Sequence, residues 1–556
     1  MRRVRRPDAA RKLLLHGGLW PHDPGRTPGR ARQGRGARGQ PVPDVGSDRP
    51  HRRRLSLEPD GRGLRQGGAG AAAGHRGGAA RAHRGGARRG RRGLPLQVIE
   101  RLLELARRRA DGGADALWRQ VERTSVAFEW GRLKAAGVSE EAGANLRVSH
   151  RGRIGVAGTT AVAGTTGVAT DDVGAQHAAP LLDRGLASAA LGEELDLVFP
   201  AQAPLPAVVT FFDRAANASL DDLIGIGRSL LEQLEREGCR VNVTIERETA
   251  ETRVANSAGA AGAYRSTAIG VSAEVWRIAG DDVLAIGDAF EGADLPSDAA
   301  LAALVGSVNA RLEHALRVVA PPQGALPVVF TPPGLSALLL PVTQALSGKA
   351  VLQGISPLAA RVGEQVFDSR FSLTDDPLRA GRAASRPLDD ECVPSRTTCL
   401  VERGVVQRFI YDLETAARAR AQSTGHGQRT IFGKPVPGYT NIVLGEGGTL
   451  GDVGAQHAAP LQLGGGLLTE IRDGLLVDEL IGVGQGNVIG GAFSHPVALA
   501  YRVEGGAISG RVKDAAVAGN AYDLWKRVGG FGNDARWAGS RYTPSVLLDG
   551  VSVARR

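Results

Sequence analysis

The chain has 556 residues, enough for two or three domains, and a formal net charge of +11. That charge is confined to one end: residues 1–95 hold 24 Lys and Arg against 6 Asp and Glu, leaving 45 against 52 in the rest. The remainder therefore carries a net charge of −7, which argues against a globular part that grips DNA directly.

Residues 1–95 form an Arg/Gly-rich extension whose only aromatic residue is Trp20. Stretches such as HRGGAARAHRGGARRGRRG have no apolar periodicity and cannot bury a core. The expectation is disorder, or upstream DNA translated from a misassigned start. A nucleic-acid arm is the alternative, but arms of that kind interleave aromatics for stacking. The stretch LLLHGGLW is too short for a signal peptide's apolar core, and no run approaches the length of a membrane span. Cys239, Cys392 and Cys399 show no C-x-x-C pairing, which suits a reducing cytoplasm and offers no cysteine-based zinc site.

Order is expected from about Leu96. LQVIERLLELARRRA puts Ile99, Leu102, Leu103 and Ala106 on one helical face. TSVAFEWGRLK and ANLRVSHRGRIGVAGTT read as strands. SLDDLIGIGRSLLEQLEREG reads as a helix capped by Ser219 and stopped at Gly238, burying Leu220, Leu223, Ile224, Gly227, Leu230, Leu231 and Leu234. Two strand runs follow from Cys239. A helix after Pro296 is then expected, with Ser297 as cap and Leu301, Leu304, Val305, Val308, Leu312 and Leu316 inward. VVAPPQGALPVVF reads as an inter-domain linker because proline interrupts both helix and sheet. Beyond it the pattern is strand-rich; Val497, Leu499, Tyr501 and Val503 alternate into a hairpin at Gly505-Gly506. The fold class expected is α+β: a mixed α/β N-terminal region (96–320), then a mostly antiparallel β-rich domain (326–556).

The decamer DVGAQHAAPL occurs at 172–181 and again at 452–461, and VAGTT at 156–160 and 162–166. Both decamers are expected in surface loops, as local duplications without metal-binding meaning for His177 or His457.

From about residue 326 onward the order of GEQVFDSRFSLTDDP, PLDDECVPSRTTCLVERGVVQRFIYDLETAARA, STGHGQR, PGYTNIVLGEGG, LLTEIRDGLLVDELIG and GQGNVIGGAF resembles the TldD/PmbA family, in its PmbA-type branch. A weaker likeness covers roughly 113–320. The resemblance implies membership of a metallopeptidase family whose older label is modulator of DNA gyrase. In its proteolytic branch a zinc-binding His-Glu-x-x-x-His helix lies where this chain reads LLLPVTQAL, and a cysteine ligand lies near the C-terminus, where GNDARWAGSRYTPSV has none. Zinc hydrolysis needs three protein ligands and an open position for water. No His-x-x-x-His occurs in the sequence.

What the resemblance implies is therefore a zinc-free subunit with no catalytic or metal residues of its own. Its partner would be a TldD-like chain carrying the zinc, or a second copy in a homodimer, and its substrates unfolded or flexible peptides. Asp390, Glu391, Arg396, Thr424, Arg429 and Asn487 are the candidate positions for shaping the substrate chamber or the subunit interface. The rivals are a peptidase active on its own and a nucleic-acid-associated modulator using the basic arm. Two departures stand out: Cys392 replaces the usual Gly and His426 the usual Asn. The carboxylates at 375–376 and 389–391 read as turn and cap residues. His426 reads as a loop substitution with no acid at fixed spacing.

Overall fold

The computed structural model describes residues 94–160, 172–446 and 463–556. The basic extension and the second decamer lie outside the described residues. The first sheet is wholly antiparallel, with strands β1 (Ala114–Glu129), β2 (Arg132–His150), β3 (Arg153–Thr159), β4 (Cys239–Asn256), β5 (Ala261–Ala279) and β6 (Asp282–Gly292) in the order β3-β2-β1-β4-β5-β6. Helices α1 (Leu94–Arg109) and α2 (Asp172–Ala190) pack on one face of its β1–β2 end, where Leu102, Ala116, Trp118, Leu146 and Leu182 are buried. The first decamer thus opens a helix, not a surface loop: Ala178 and Leu181 are buried. Those two residues pack in the cluster shared with β1 and β2, which a reading limited to neighbouring residues does not reveal.

A short helix α3 (Asp213–Asn217) precedes α4 (Leu220–Leu234). Ser219 caps α4 in a reciprocal box with Asp222, and Leu223, Gly227, Leu230 and Leu234 are buried. The helix ends four residues before Gly238, which instead takes a left-handed φ of 73° leading into β4. Ser297 caps α5 (Asp298–Ala315) through Ala300 N–H, 3.2 Å. Leu316, expected inward, caps the C-terminus and is exposed. Helices α4 and α5 share one apolar cluster with residues of the second half, including Val329, Leu476, Tyr501 and Leu547.

The expected linker is sheet. Strands β7 (Val318–Val319) and β8 (Gly324–Phe330) both belong to the large C-terminal sheet, and β8 lies between Asp473–Leu480 and Val546–Arg555. Pro327 is tolerated there because the register with Val546–Arg555 shifts between Leu548 and Val551, and the parallel partner pairs only from Val328. A residue without an N–H fits such a bulge. The strands Asp473–Leu480, β8, Val546–Arg555, Ala515–Asn520 and Ala492–Glu504 close into a ring, because the first and last also pair. The hairpin at Gly505-Gly506 forms with φ of 58° and 87°, as the sequence indicates. A second C-terminal sheet carries Phe371–Asp375 and Ile442–Glu446 at its centre.

The tight turn Arg403-Gly404 has positive φ at both residues, 47° and 80°. Arginine tolerates that conformation poorly, while asparagine suits it. Arg403→Asn is expected to raise stability by about 1 kcal/mol, read as a higher denaturant midpoint. An unchanged or lower midpoint would contradict the strain.

Candidate functional site: a buried charge junction beside an apolar helix

Because period-two alternation gives β1 and β2 two faces, the residues between those packed on α1 and α2 point the other way. Asp115 and Arg147 are direct cross-strand partners on that second face. Covering them are the loop around 386–393 and the segment 424–430. Arg147, 1% exposed, holds Asp115 with a fork (Nη2 to Oδ2, 2.5 Å; Nε to Oδ1, 3.3 Å) and donates through Nη1 to Glu391 Oε1 at 2.6 Å. Arg429 donates through Nη1 to Asp115 Oδ1 (2.9 Å) and Asn145 Oδ1 (3.1 Å). The Arg429 backbone N–H donates to Asp390 Oδ2 at 2.9 Å, and Arg119 reaches Asp390 Oδ1 at 3.3 Å. Glu391 Oε2 accepts the Leu413 N–H, 2.7 Å. Gly427 is required beside it, since a Cβ there would meet the Glu391 side chain at 2.3 Å.

The acidic clusters are therefore more than turn residues. Asp389 does make a turn, accepting the N–H groups of Glu391 and Val393, each at 2.9 Å. Asp390 and Glu391 are buried ion-pair partners. Asp375 accepts Thr440 N–H (2.7 Å) and lies 3.1 Å from His426 Nε2. So His426 has an acid after all, 51 residues earlier in the chain, and its Nδ1 lies 2.9 Å from Thr424 Oγ1. The three resemble a nucleophile–base–acid set, but Thr424 is 7%, His426 1% and Asp375 0% exposed. The Thr424 hydroxyl is also bonded to the Tyr411 backbone N–H (2.7 Å) and carbonyl (3.1 Å), so no substrate carbonyl can approach it. Cys392 keeps the left-handed backbone expected of the usual glycine, with φ 66°, and burial pushes its thiol far above the ordinary range.

Of the six candidate positions, Asp390, Glu391, Thr424 and Arg429 are buried in or beside this junction. Arg396 is exposed at its margin and donates to the Ser423 carbonyl at 3.4 Å. Asn487 lies apart, exposed in the glycine turn before Val488–Gly490. Sequence reading missed Asp115, Arg147 and Arg119, and took Asp375 for a turn residue. A charge set inside an apolar strand, as in ADALW and NLRV, was the only local signal.

Carboxylates crowd the junction. Burial, reinforced by Asp412, Asp389 and Asp115 and opposed by Arg147, pushes Glu391 up to about 8; burial pushes Asp389 up to about 6. Burial would also raise Asp115, but Arg147 and Arg429 hold it below its ordinary value. The folded chain therefore keeps a proton on the Glu391–Asp389 group that the unfolded chain releases near the ordinary carboxylate pKa. Stability should fall as pH rises from about 5 to 8. Glu391→Gln should flatten that slope in denaturation series across the window; an unchanged slope would remove Glu391 as its source.

Helix α6 (Ser336–Ala345) occupies the stretch LLLPVTQAL. Ala337, Leu338, Leu339, Val342 and Ala345 are sunk in the main C-terminal core. Three aromatic donors fix the helix from outside: Trp525 Nε1 to Leu338 O (3.1 Å), Tyr522 Oη to Pro341 O (3.1 Å) and Tyr439 Oη to Thr343 O (2.6 Å). The side chains include no His, Cys, Asp or Glu, so the helix offers zinc no ligand set. Among the described residues no group of three or more His, Cys, Asp or Glu is arranged to hold a metal ion.

Residues 323–555 match the family model described as PmbA/TldA metallopeptidase C-terminal domain. A metalloprotease of Methanothermobacter thermautotrophicus is 29% identical over 223 residues, 40% of this chain and 46% of that protein. A metalloprotease PmbA homolog of Haemophilus influenzae is 26% identical over 231 residues, 41% and 46% of the two. The matched part thus spans less than half the length of these relatives. The crystal structure of TldE from Thermococcus kodakarensis superposes with a TM-score of 0.71 at 22% identity, covering 82% of this chain and all of that one. At that identity it establishes the fold. No helix among the described residues is long and apolar enough to cross a membrane.

Proposed function

From the premise that the chain belongs to the PmbA/TldD metallopeptidase family, we propose that it is a PmbA-type subunit, without a zinc site of its own, of a two-component metallopeptidase. The observation that carries this reading is helix α6. Where the resemblance places metal ligands, the helix presents Leu, Pro, Val and Ala, most of them buried against neighbouring core residues. Exchanging one ligand would leave a damaged site; here no residue of the helix is His, Cys, Asp or Glu, and seven of its ten residues are buried.

In this reading the metal belongs to a TldD-type partner, where it would polarise the scissile carbonyl and activate water. This chain contributes a rigid wall, and its substrates are unfolded or flexible peptides. Arg396 and Asn487, exposed, are the two candidate positions a partner or peptide would reach; Asp390, Glu391, Thr424 and Arg429 would hold the wall in shape from behind. Three unpaired cysteines suit assembly in a reducing compartment such as the cytoplasm.

The test is peptidase activity toward an unstructured peptide. The chain alone should be inactive, and the chain mixed with a TldD-type protein from the same genome should be a chelator-sensitive peptidase. Chelator-sensitive activity of the chain alone would overturn the proposal.

A further inference from the structure

Seven arginines are buried among the described residues. Arginine keeps its proton, so each buried guanidinium needs a partner that answers its charge. Five are ion-paired: Arg147, Arg247, Arg311, Arg429 and Arg511. Arg382 stacks 4.0 Å over the Trp537 ring and donates to the Gly539 carbonyl at 2.8 Å. Arg386 does neither. It is 6% exposed, its Nε and Nη2 are buried with no hydrogen-bond partner, and it has no ion pair among the described residues.

The carboxylates around it are engaged elsewhere. The charge of Arg386 acts on Asp389, yet Asp389 Oδ1 accepts the N–H groups of Glu391 and Val393 and Oδ2 that of Gly427, each at 2.9 Å. Asp376 holds Arg379 and the Thr397 hydroxyl, both at 3.0 Å, while its neighbour Pro377 accepts only the backbone N–H of Arg386.

A way in from the surface follows from the local register. The Asp389 N–H donates to the Val393 carbonyl (2.9 Å), the Ser395 N–H donates to the Pro387 carbonyl (3.0 Å), and Leu388 bridges Pro394. One step further along, this hairpin sets Arg396 opposite Arg386, and opposite residues of an antiparallel pair share a face. Arg396 is exposed and makes one long bond, 3.4 Å, to the Ser423 carbonyl. In the same hairpin the Ser395 hydroxyl oxygen is buried and without a partner.

We propose that this hairpin is a carboxylate-binding site, in which Arg386 takes the group side-on at the base and Arg396 meets it at the surface. Nε and Nη2 lie on one edge of the guanidinium and match the two oxygens of such a group. The base offers one uncompensated positive charge, and the buried Asp389 beside it opposes a second negative one, which favours a monoanionic carboxylate over phosphate. The site does not rest on the zinc-free reading of α6, so its failure would leave the proposed function standing.

The experiment is calorimetric titration of the full chain at constant ionic strength in chloride. The probes are acetate, inorganic phosphate, and the tripeptide Ala-Ala-Ala with a free or an amidated C-terminus. Acetate should bind, phosphate should bind more weakly, and the amidated peptide should not bind. A free-acid peptide that binds more tightly than acetate identifies a chain end as the ligand; acetate binding without the peptide identifies a small acid. Arg386→Lys keeps the charge but loses the fork, and should weaken acetate binding about tenfold or more. Arg386→Met has similar volume and no charge. It should lose acetate binding, yet unfold in acetate-free buffer at a denaturant midpoint no lower than wild type, since no native bond is removed. Three results would each overturn the proposal: no binding of acetate or the free-acid peptide, phosphate binding tighter than acetate, or wild-type binding in Arg386→Met. An Arg386→Met midpoint well below wild type would do so too, because the arginine would then be satisfied within the chain.

Discussion

Replacing Arg147 with Met is expected to lower stability by about 3–5 kcal/mol, the cost of leaving buried charge without its partner. Asp115, 0% exposed and held charged, loses the fork that neutralises it, and Glu391, 0% exposed, loses the donor to its Oε1. Arg429 still reaches Asp115 at 2.9 Å, but among the described residues no other cationic side chain donates to Glu391. Because Arg147 lies on β2 and Glu391 in the covering loop, the loss should also loosen the loop from the sheet. Arg147→Lys keeps the charge but cannot reproduce the fork to Asp115, so it should fall between wild type and Arg147→Met. Removing the exposed pair Arg101–Glu104 should change stability by under about 1 kcal/mol. Denaturant unfolding measures all three. A loss from Arg147→Met no larger than that of the surface pair would mean the junction does not hold the loop.

The second large effect is expected at Trp525. Its ring is fully buried, lies 4.6 Å from that of Phe371, and its Nε1–H donates to the Leu338 carbonyl of α6. Trp525→Ala should cost about 3–5 kcal/mol through lost burial and the cavity left behind. Tyr522→Phe removes only hydroxyl bonds to Pro341 and Ile489 and should cost about 1 kcal/mol. Amide exchange supplies a readout specific to the helix: α6 should lose protection in Trp525→Ala ahead of the N-terminal sheet. Equal loss across both would show that Trp525 supports the whole chain and not α6 in particular.

What was legible in the sequence follows the range of the forces involved. Ser219 and Ser297 cap helices through backbone groups three residues away, so local spacing identifies them. Gly505-Gly506 closes its hairpin for the same reason. Pro327 misled because its effect depends on a bulge in a strand more than 200 residues later, which local rules cannot see. The decamer at 172–181 misled because a Gly/Ala-rich surface looks like loop until a sheet lies beneath it. At the junction, Arg147 meets partners 32 and 244 residues away, and His426 finds its acid at 51. Pairing at such separations is set by tertiary packing, and no periodicity records it. The apolar character of α6, in contrast, is written in ten consecutive residues, and the structure adds the buried contacts that hold it in the core.

That helix carries the central claim, and the most direct measurement of it is the zinc content of the purified chain after incubation with zinc and removal of excess. The account predicts far less than one zinc per chain, unchanged when Leu340 or Gln344, the outward positions of α6, is replaced by Ala. One tightly held zinc per chain would contradict it, and would place a metal site where neither α6 nor the C-terminal residues supply ligands.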